Sequence, residues 1–183
     1  LLRWEKIDLV ARFGGMGERL YHLARGEDHR RISAHAPVKS ISNETTFGED
    51  TSSVDILDGH IWRLAENVAD RAKAKDKAGR VVNLKLKRAN HTVLSRQTSL
   101  SEPTQIADRI YRTARALFDQ VGNEGPYRLI GVGISHLTKA DAAETGGDLL
   151  DPGAKGRADA ERASDKIRER FGSDAIIKGR ALR

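Results

Sequence analysis

Cysteine is absent from the 183-residue chain, which excludes disulfide bonds and metal sites built from thiolates. No apolar run approaches the roughly 18 residues that a membrane-spanning helix requires. Charged residues interrupt the apolar stretch at the start, LLRWEKIDLV, so a signal peptide is not expected. These absences favour a cytoplasmic protein with no membrane partner. The chain also lacks an initiating methionine, and we therefore expect a piece of a longer protein.

The signatures of several catalytic sites are missing as well. No glycine-rich phosphate loop opens a predicted helix. Two-metal sites need carboxylates that converge from neighbouring strands, but the predicted strands carry almost no acidic residue, with Glu44 as the exception. The six histidines show no spacing typical of metal ligands. The sequence therefore predicts a binding module with no catalytic residue, metal or cofactor of its own.

The chain carries an excess of positive charge. Lysine and arginine number 32 against 26 aspartate and glutamate residues, a formal net charge of +6. Such a balance suits an anionic partner, nucleic acid above all, although many basic proteins bind none. Composition alone suggests nucleic-acid binding and does not establish it.

Both ends of the chain are predicted to be helical. Residues 1–25 fit two short helices around a glycine-rich tight turn, with Trp4, Ile7 and Val10 on one face of the first helix. A polar segment that ends at Pro37 then has the composition of a linker.

Six elements are predicted between residues 38 and 138. In chain order they are a strand (38–47), a helix (55–75), two strands (80–88 and 92–100), a helix that opens at Pro103 and Thr104, and a strand (127–138). This order predicts an α+β fold of the split βαβ, ferredoxin-like type, β-α-β-β-α-β. The strands would form a four-stranded sheet with the two helices on one face.

The other face of this sheet is expected to be open and basic. Leu84 and Leu86 alternate with Lys85 and Lys87, so the leucines are buried and the lysines project together to the opposite side. A solvent-facing sheet with two lysines is a natural platform for a phosphate backbone, although the lysines of such a face can also serve solubility alone.

The first strand offers contacts of a different kind. Ser40 and Ser42 share a face opposite Ile41, and their small hydroxyls and the local amides allow a phosphate to approach closely. Lys39 can reach a phosphate from the edge. The alternative is an ordinary strand whose hydroxyls face water.

Five segments resemble, in the right order, the C-terminal half of Y-family translesion DNA polymerases of the bacterial DNA polymerase IV type. They are RFGGMGERLYHLARGED, KSISNETTF, the pair VNLKLKR and VLSRQTSL, YRLIGVGISHL, and RASDKIRERFGSDAIIKGRAL. The resemblance covers nearly the whole chain. Each motif is modest alone, and their order carries the argument.

The resemblance implies a division of the chain into five parts. These are the end of a helical thumb domain (1–26), a linker (27–37), a DNA-binding little finger domain (38–138), a flexible loop (139–156), and a C-terminal helix and tail (157–183). The little finger of this family grips template-primer DNA in the major groove, chiefly through phosphates. It supports translesion synthesis and DNA repair in the bacterial cytoplasm.

The resemblance also implies that catalysis takes place elsewhere in the parent protein. That parent would be a DNA-directed DNA polymerase, a nucleotidyltransferase. Its palm and fingers, with the carboxylates that hold Mg²⁺, should precede Leu1. We therefore expect this fragment to have no polymerase activity alone. We also expect it to be a monomer.

Further DNA contacts follow from the resemblance. Ser95 and Arg96 match a stretch that contacts DNA in the family, and Arg128 matches a basic position at the start of the last strand. Arg128 has the parity of buried residues, so it must emerge from the end of the sheet. Arg30 and Arg31, in the linker, are placed either to cross the minor groove between thumb and little finger or to face solvent in the linker.

Two more contact sites are predicted with clear alternatives. The amides of Gly15 and Gly17 have the spacing to cradle a primer phosphate, or these glycines serve helix packing. Leu149 and Leu150 lie where relatives carry a short motif that binds the sliding clamp, but the expected Gln and Phe are missing. The leucines are thus either two apolar anchors for the clamp or part of a disordered loop.

Two other functions remain open at this point. An RNA-recognition module has the same strand order, but it stacks bases on aromatic side chains of its central strands, and residues 81–100 contain no Phe, Tyr or Trp. A protein-interaction domain, for the sliding clamp for example, would use the basic face only for solubility. Salt-sensitive DNA binding distinguishes this possibility from a DNA-binding domain.

Overall fold

The computed structural model describes residues 1–31, 37–121, 124–140, 152–172, 175–176 and 179. The chain divides into two compact units, Leu1–Pro37 and Val38–Arg183. In the first unit, α1 (Lys6–Phe13) and α2 (Gly15–Ala24) are the two helices that the sequence predicts. They pack against each other around a turn at Gly14, whose φ is +59°.

The two helices of the first unit approach closely because position 17 is a glycine. A Cβ atom on Gly17 would lie 2.0 Å from the carbonyl oxygen of Leu9. Leu9 is fully buried at this contact, whereas Trp4, Ile7 and Val10 are exposed. Leu9 is therefore the residue of α1 that is buried against α2, and the apolar face predicted from the spacing of Trp4, Ile7 and Val10 is not.

The second unit is built around a sheet. Its elements are β1 (Ser40–Thr51), α3 (Val54–Lys73), β2 (Lys77–Arg88), β3 (Val93–Thr104), α4 (Ala107–Asp119), β4 (Tyr127–Lys139) and α5 (Ala154–Phe171). The four strands pair antiparallel in the order β1-β4-β2-β3. The predicted α+β fold of the ferredoxin-like type is confirmed.

The core lies between the sheet and two helices, α3 and α4. Ser53 caps α3, because its Oγ accepts a hydrogen bond from the backbone amide of Ile56 at 3.4 Å. One stripe of α3 is buried, as its spacing predicts, and it consists of Leu57, Ile61, Leu64 and Val68. The sheet contributes the alternate residues of its strands to the same core, among them Ile41, Leu84, Leu86 and Ile130. The opposite sheet face is thereby left without a helix from this layer.

Two predicted helix starts need correction. Pro103 and Thr104 belong to the end of β3, and α4 begins at Ala107. β3 is an edge strand, where proline is tolerated because its missing N–H removes no ladder hydrogen bond from the sheet interior. The C-terminal helix begins at Ala154, three residues before the predicted start.

The C-terminal helix supplies a cap for α4. Ile106 at the N-cap position of α4 has no side chain that accepts a hydrogen bond. The buried carboxylate of Glu161, from α5, accepts hydrogen bonds from the backbone amides of Ala107 at 2.8 Å and Asp108 at 3.2 Å. The same carboxylate lies 2.7 Å from the ammonium group of Lys73. α5 is thus attached to the helix layer through a buried charged contact.

Candidate nucleic-acid interface

The open face of the sheet is defined by the pairing register. Because directly opposite residues of neighbouring strands project to the same side, two rows of four residues cross the sheet in the order β1-β4-β2-β3. They are Ser42, Gly133, Asn83 and Gln97, and then Glu44, Gly131, Lys85 and Ser95. We call these eight residues the open face. Hydroxyl, amide and charged groups predominate on it.

A trough of about 730 Å³ crosses the open face above β4. Its floor is backbone because β4 contributes glycines to both rows. A Cβ on Gly133 would lie 2.8 Å from Ser42 Cβ, and a Cβ on Gly131 would lie 2.9 Å from Glu44 Cβ. The glycines therefore allow β1 side chains to lie across β4, and they leave room for an extended anionic ligand.

Lys85 is the central cation of the open face. Its ammonium group lies 2.9 Å from Oε2 of Glu44. Both side chains are about half exposed, at 44% for Lys85 and 51% for Glu44. An exposed pair of this kind contributes only about 0–1 kcal/mol, so an incoming phosphate can replace the carboxylate at Lys85.

Lys87 lies one row further along β2, on the same side as Lys85. The residues of its row in β1, β4 and β3 are Thr46, Leu129 and Val93. Within the described ranges Lys87 forms no ion pair. It is therefore placed, as the alternation predicts, beside Lys85, and no described residue compensates its charge by direct contact.

The first strand presents its hydroxyls to solvent. Ser40 and Ser42 are exposed opposite the buried Ile41, and the exposed Lys39 comes directly before the strand. Arg71 of α3, which the sequence interpretation missed, donates from Nη1 to the carbonyl oxygen of Ser42 at 2.7 Å. This contact brings an exposed guanidinium from the helix layer to the outer edge of β1.

The two candidates in β3 project to opposite sides. Ser95 pairs with Lys85 and lies on the open face, whereas Arg96 pairs with Leu84 and projects on the helix side of the edge strand. Arg96 is exposed, and its Nη1 donates to the carbonyl oxygen of Ser95 at 2.9 Å. Arg96 nevertheless borders the trough on the open face, so its guanidinium can reach a phosphate around the edge of the sheet.

Arg128 lies at the end of the sheet, in the second position of β4, as its parity indicates. Its Nε is 3.4 Å from an oxygen of Asp50, and its Nη1 is 3.1 Å from Nε2 of His91. The side chain is 38% exposed. Its charge is partly compensated by Asp50 and lies away from the two central rows.

Two of the four candidates in the first unit, Arg30 and Gly17, have internal partners of their own. Arg30 forms a two-point contact with Asp28, with Nε at 2.7 Å from Oδ1. Arg31 is exposed. The amide of Gly17 donates to the carbonyl oxygen of Gly14 at 2.8 Å and is therefore already used within the turn.

Gly15 is the first residue of α2, where helix amides lack partners within the helix. It is the better placed of the two glycine amides for an anion. The predicted clamp anchors Leu149 and Leu150 lie outside the described residues.

Two polar residues of the open face were not among the predicted DNA contacts. Asn83, whose amide donates to Ser135 Oγ at 3.1 Å, and Gln97 extend the polar surface. Their signal was the same alternation that revealed the lysines. The described residues contain no group of three His, Asp or Glu side chains arranged to hold a metal ion. Nor does any helix among them have both the length and the apolar character needed to cross a membrane.

The chain is similar over nearly its whole length to bacterial polymerases. It is 41% identical to "DNA polymerase IV 1" of Mesorhizobium japonicum over 175 residues, which is 96% of this chain and 40% of that protein. It is 41% identical to "DNA polymerase IV" of Brucella melitensis over 93% of this chain and 38% of that protein. Against "DNA polymerase IV" of Caulobacter vibrioides the identity is 37%, over 96% of this chain and 43% of that protein.

The chain thus spans about two fifths of the length of these curated relatives. Residues 38–149 match the family described as "impB/mucB/samB family C-terminal domain". This match covers the four strands that form the open face and the two helices, α3 and α4, that pack on the other side of the sheet. The resemblance to polymerases of the DNA polymerase IV type is confirmed, and the chain belongs to the impB/mucB/samB C-terminal domain family.

Proposed function

We propose that residues 38–138 form the little finger domain of a lesion-bypass DNA polymerase and bind template-primer DNA through phosphate contacts. The observation that supports this most strongly is the open face. One side of the sheet carries hydroxyls, amides and two lysines above a glycine floor, and the helices pack on the other side. Phosphate contacts position a protein on DNA without reading its sequence, so we expect no sequence preference.

The remaining parts of the chain are assigned by the same proposal. Residues 1–26 would be the end of the thumb and 27–37 the linker. The loop after residue 139 would lead to the C-terminal helix, which begins at Ala154, and to the tail. The parent protein would be a cytoplasmic DNA-directed DNA polymerase for translesion synthesis and repair. Mg²⁺ would supply charge stabilisation for phosphoryl transfer in its catalytic part, and the described residues of this chain offer no ligand set for it.

The number of cations near the open face sets the expected salt dependence of DNA binding. Lys85 lies on the open face, Lys87 lies one row further along the same side of the sheet, and Lys39, Arg71 and Arg96 lie at its edges. Each phosphate neutralised on duplex DNA contributes about −0.9 to the slope of log K against log salt concentration. Four or five contacts therefore predict a slope of about −3 to −5.

The test is a fluorescence-anisotropy titration of this chain with primer-template DNA at several salt concentrations. We expect binding without sequence preference and with the slope given above. Replacement of both Lys85 and Lys87 by glutamate should weaken binding and flatten the slope. Binding that is independent of salt, or a slope unchanged in the double variant, would refute the phosphate-binding role of this face.

The two alternatives predict different results in the same titration. An RNA-recognition module would prefer single-stranded RNA over primer-template DNA, yet the segment 81–100 has no aromatic residue for base stacking. A protein-interaction domain would show no salt-dependent binding to either nucleic acid. Binding of the purified sliding clamp, with Leu149 and Leu150 replaced by alanine as the control, would then be measured next.

A further inference from the structure

An acidic side chain lies beside the central cation of the open face. Glu44 of β1 and Lys85 of β2 form an ion pair although β4 separates their strands. The two side chains meet across Gly131, since a Cβ at that position would be 2.9 Å from Glu44 Cβ and 3.5 Å from Glu44 Oε2. The ion pair depends on the glycine, which keeps the space above β4 open.

We propose that Glu44 competes with DNA phosphate for Lys85 and thereby weakens the grip of the open face. This inference rests on the proposed function. In the free protein the carboxylate occupies the place at Lys85 that a phosphate oxygen would take. After displacement by DNA, the carboxylate stays attached to the same face and repels the nearby backbone.

The position of Glu44 makes this competition direct. Its row contains Lys85 and Ser95, and the neighbouring row contains Ser42, so the carboxylate lies among the groups proposed to contact phosphate. Its half-exposed side chain has room to leave Lys85 without disturbing the core. Exchange between an internal carboxylate and a phosphate needs no change in the fold.

Such a competitor suits a domain that has to move along DNA. Contacts to phosphate alone permit sliding, because every position along the backbone offers the same charge. Each step requires the release of a phosphate from Lys85. A carboxylate that pairs with the ammonium group as the phosphate leaves lowers the free-energy cost of that release.

The opposite role for Glu44 makes the opposite prediction. If the carboxylate served to hold Lys85 in a productive orientation, its removal would weaken DNA binding. The sign of the change in affinity therefore distinguishes a competitor from an orienting residue.

The experiment compares Glu44→Gln with Glu49→Gln in the titration with primer-template DNA. Glu49 is also exposed and lies in β1, so both substitutions change the net charge of the chain equally. We expect Glu44→Gln to bind roughly fivefold more tightly at low salt, the effect of one unit charge about 4 Å away in water. We expect Glu49→Gln to differ from wild type by less than about twofold, since Glu49 lies five residues further along β1 and the Coulomb energy falls with distance.

The salt dependence gives a second readout. Removal of the competitor should steepen the slope of log K against log salt by up to about 0.9, because Lys85 then carries an unpaired charge before DNA binds. Circular dichroism spectra that match wild type would show that the variants fold. Equal effects of the two substitutions, or weaker binding by Glu44→Gln, would overturn the inference while leaving the proposed function intact. Absence of salt-dependent binding in wild type and in both variants would instead overturn the proposed function, and the inference with it.

Discussion

Glu161 is expected to hold α5 against the helix layer of the second unit. Its replacement by alanine should lower the free energy of unfolding more than the same replacement of an exposed glutamate in that helix. The carboxylate is buried with a side-chain exposure of 4%. It accepts the first amides of α4 and pairs with Lys73. Glu161→Ala would remove an N-terminal cap and one partner of a partly buried cation together.

The magnitude can be worked out from the two contributions. Loss of an N-cap acceptor costs typically about 1 kcal/mol. Removal of one partner of a buried ion pair costs about 3–5 kcal/mol when the other charge is left uncompensated. Asp165 remains 2.6 Å from Lys73, and Lys73 is 23% exposed, so only part of this penalty applies. We expect a total of about 2–4 kcal/mol from these contributions.

Urea denaturation followed by far-UV circular dichroism measures this loss. Glu169→Ala is the matched control, because Glu169 is an exposed residue of the same helix, and it should change stability by less than about 0.5 kcal/mol. Glu161→Gln keeps an acceptor oxygen and should lie between the two. Amide exchange at Ala107 and Asp108 should accelerate in Glu161→Ala. Equal costs for the substitutions at 161 and 169 would refute the capping argument.

Two further predictions concern the packing of α1 on α2 and the partly buried imidazole of His60. Gly17→Ala should separate α1 from α2, because the added Cβ would lie 2.0 Å from the backbone carbonyl oxygen of Leu9. Amide hydrogen exchange measures this as a loss of protection in residues 1–26. Gly15→Ala is the control because the space around Gly15 is open, whereas Gly26 has a φ of +77° that alanine rarely adopts. Burial, with a smaller contribution from Arg63, lowers the pKa of His60 below its ordinary value of 6.5. Because the pKa of His60 is lowered in the folded state, the contribution of His60 to the free energy of unfolding is fully present above pH 6.5. It is lost as the pH falls through the folded-state pKa. An NMR titration of the His60 ring that gives a midpoint at or above 6.5 would contradict this prediction.

The sequence predicts the fold because each element is visible within a short window. The stripe of α3 through Leu57 and Val68 has the period of a helix, and the alternation through Leu84 and Lys85 has the period of a strand. These local periods also predict which side of β2 faces the core. The open face follows from them without knowledge of the strand order.

The long-range side-chain contacts at the open face do not follow from local patterns. The pair of Glu44 and Lys85 requires β4 to lie between their strands, and it also requires glycine at position 131. Arg71 reaches Ser42 from a helix 29 positions later in the chain. Such contacts depend on the order in which strands assemble, and no period in the sequence encodes that order.

The positive charge of the chain is less concentrated on the open face than a net charge of +6 suggests. Lys85 is paired with Glu44, and Arg128 is paired with Asp50 at the sheet end. Under the proposed function, the hydroxyls and the glycine floor then contribute by letting DNA approach closely, while cations at the edges supply the long-range attraction. Under the same proposal, a face of this kind would bind DNA at any sequence and release it readily. The C-terminal helix is compatible with this role because Glu161 attaches it to the helix layer, on the side of the sheet opposite to the open face.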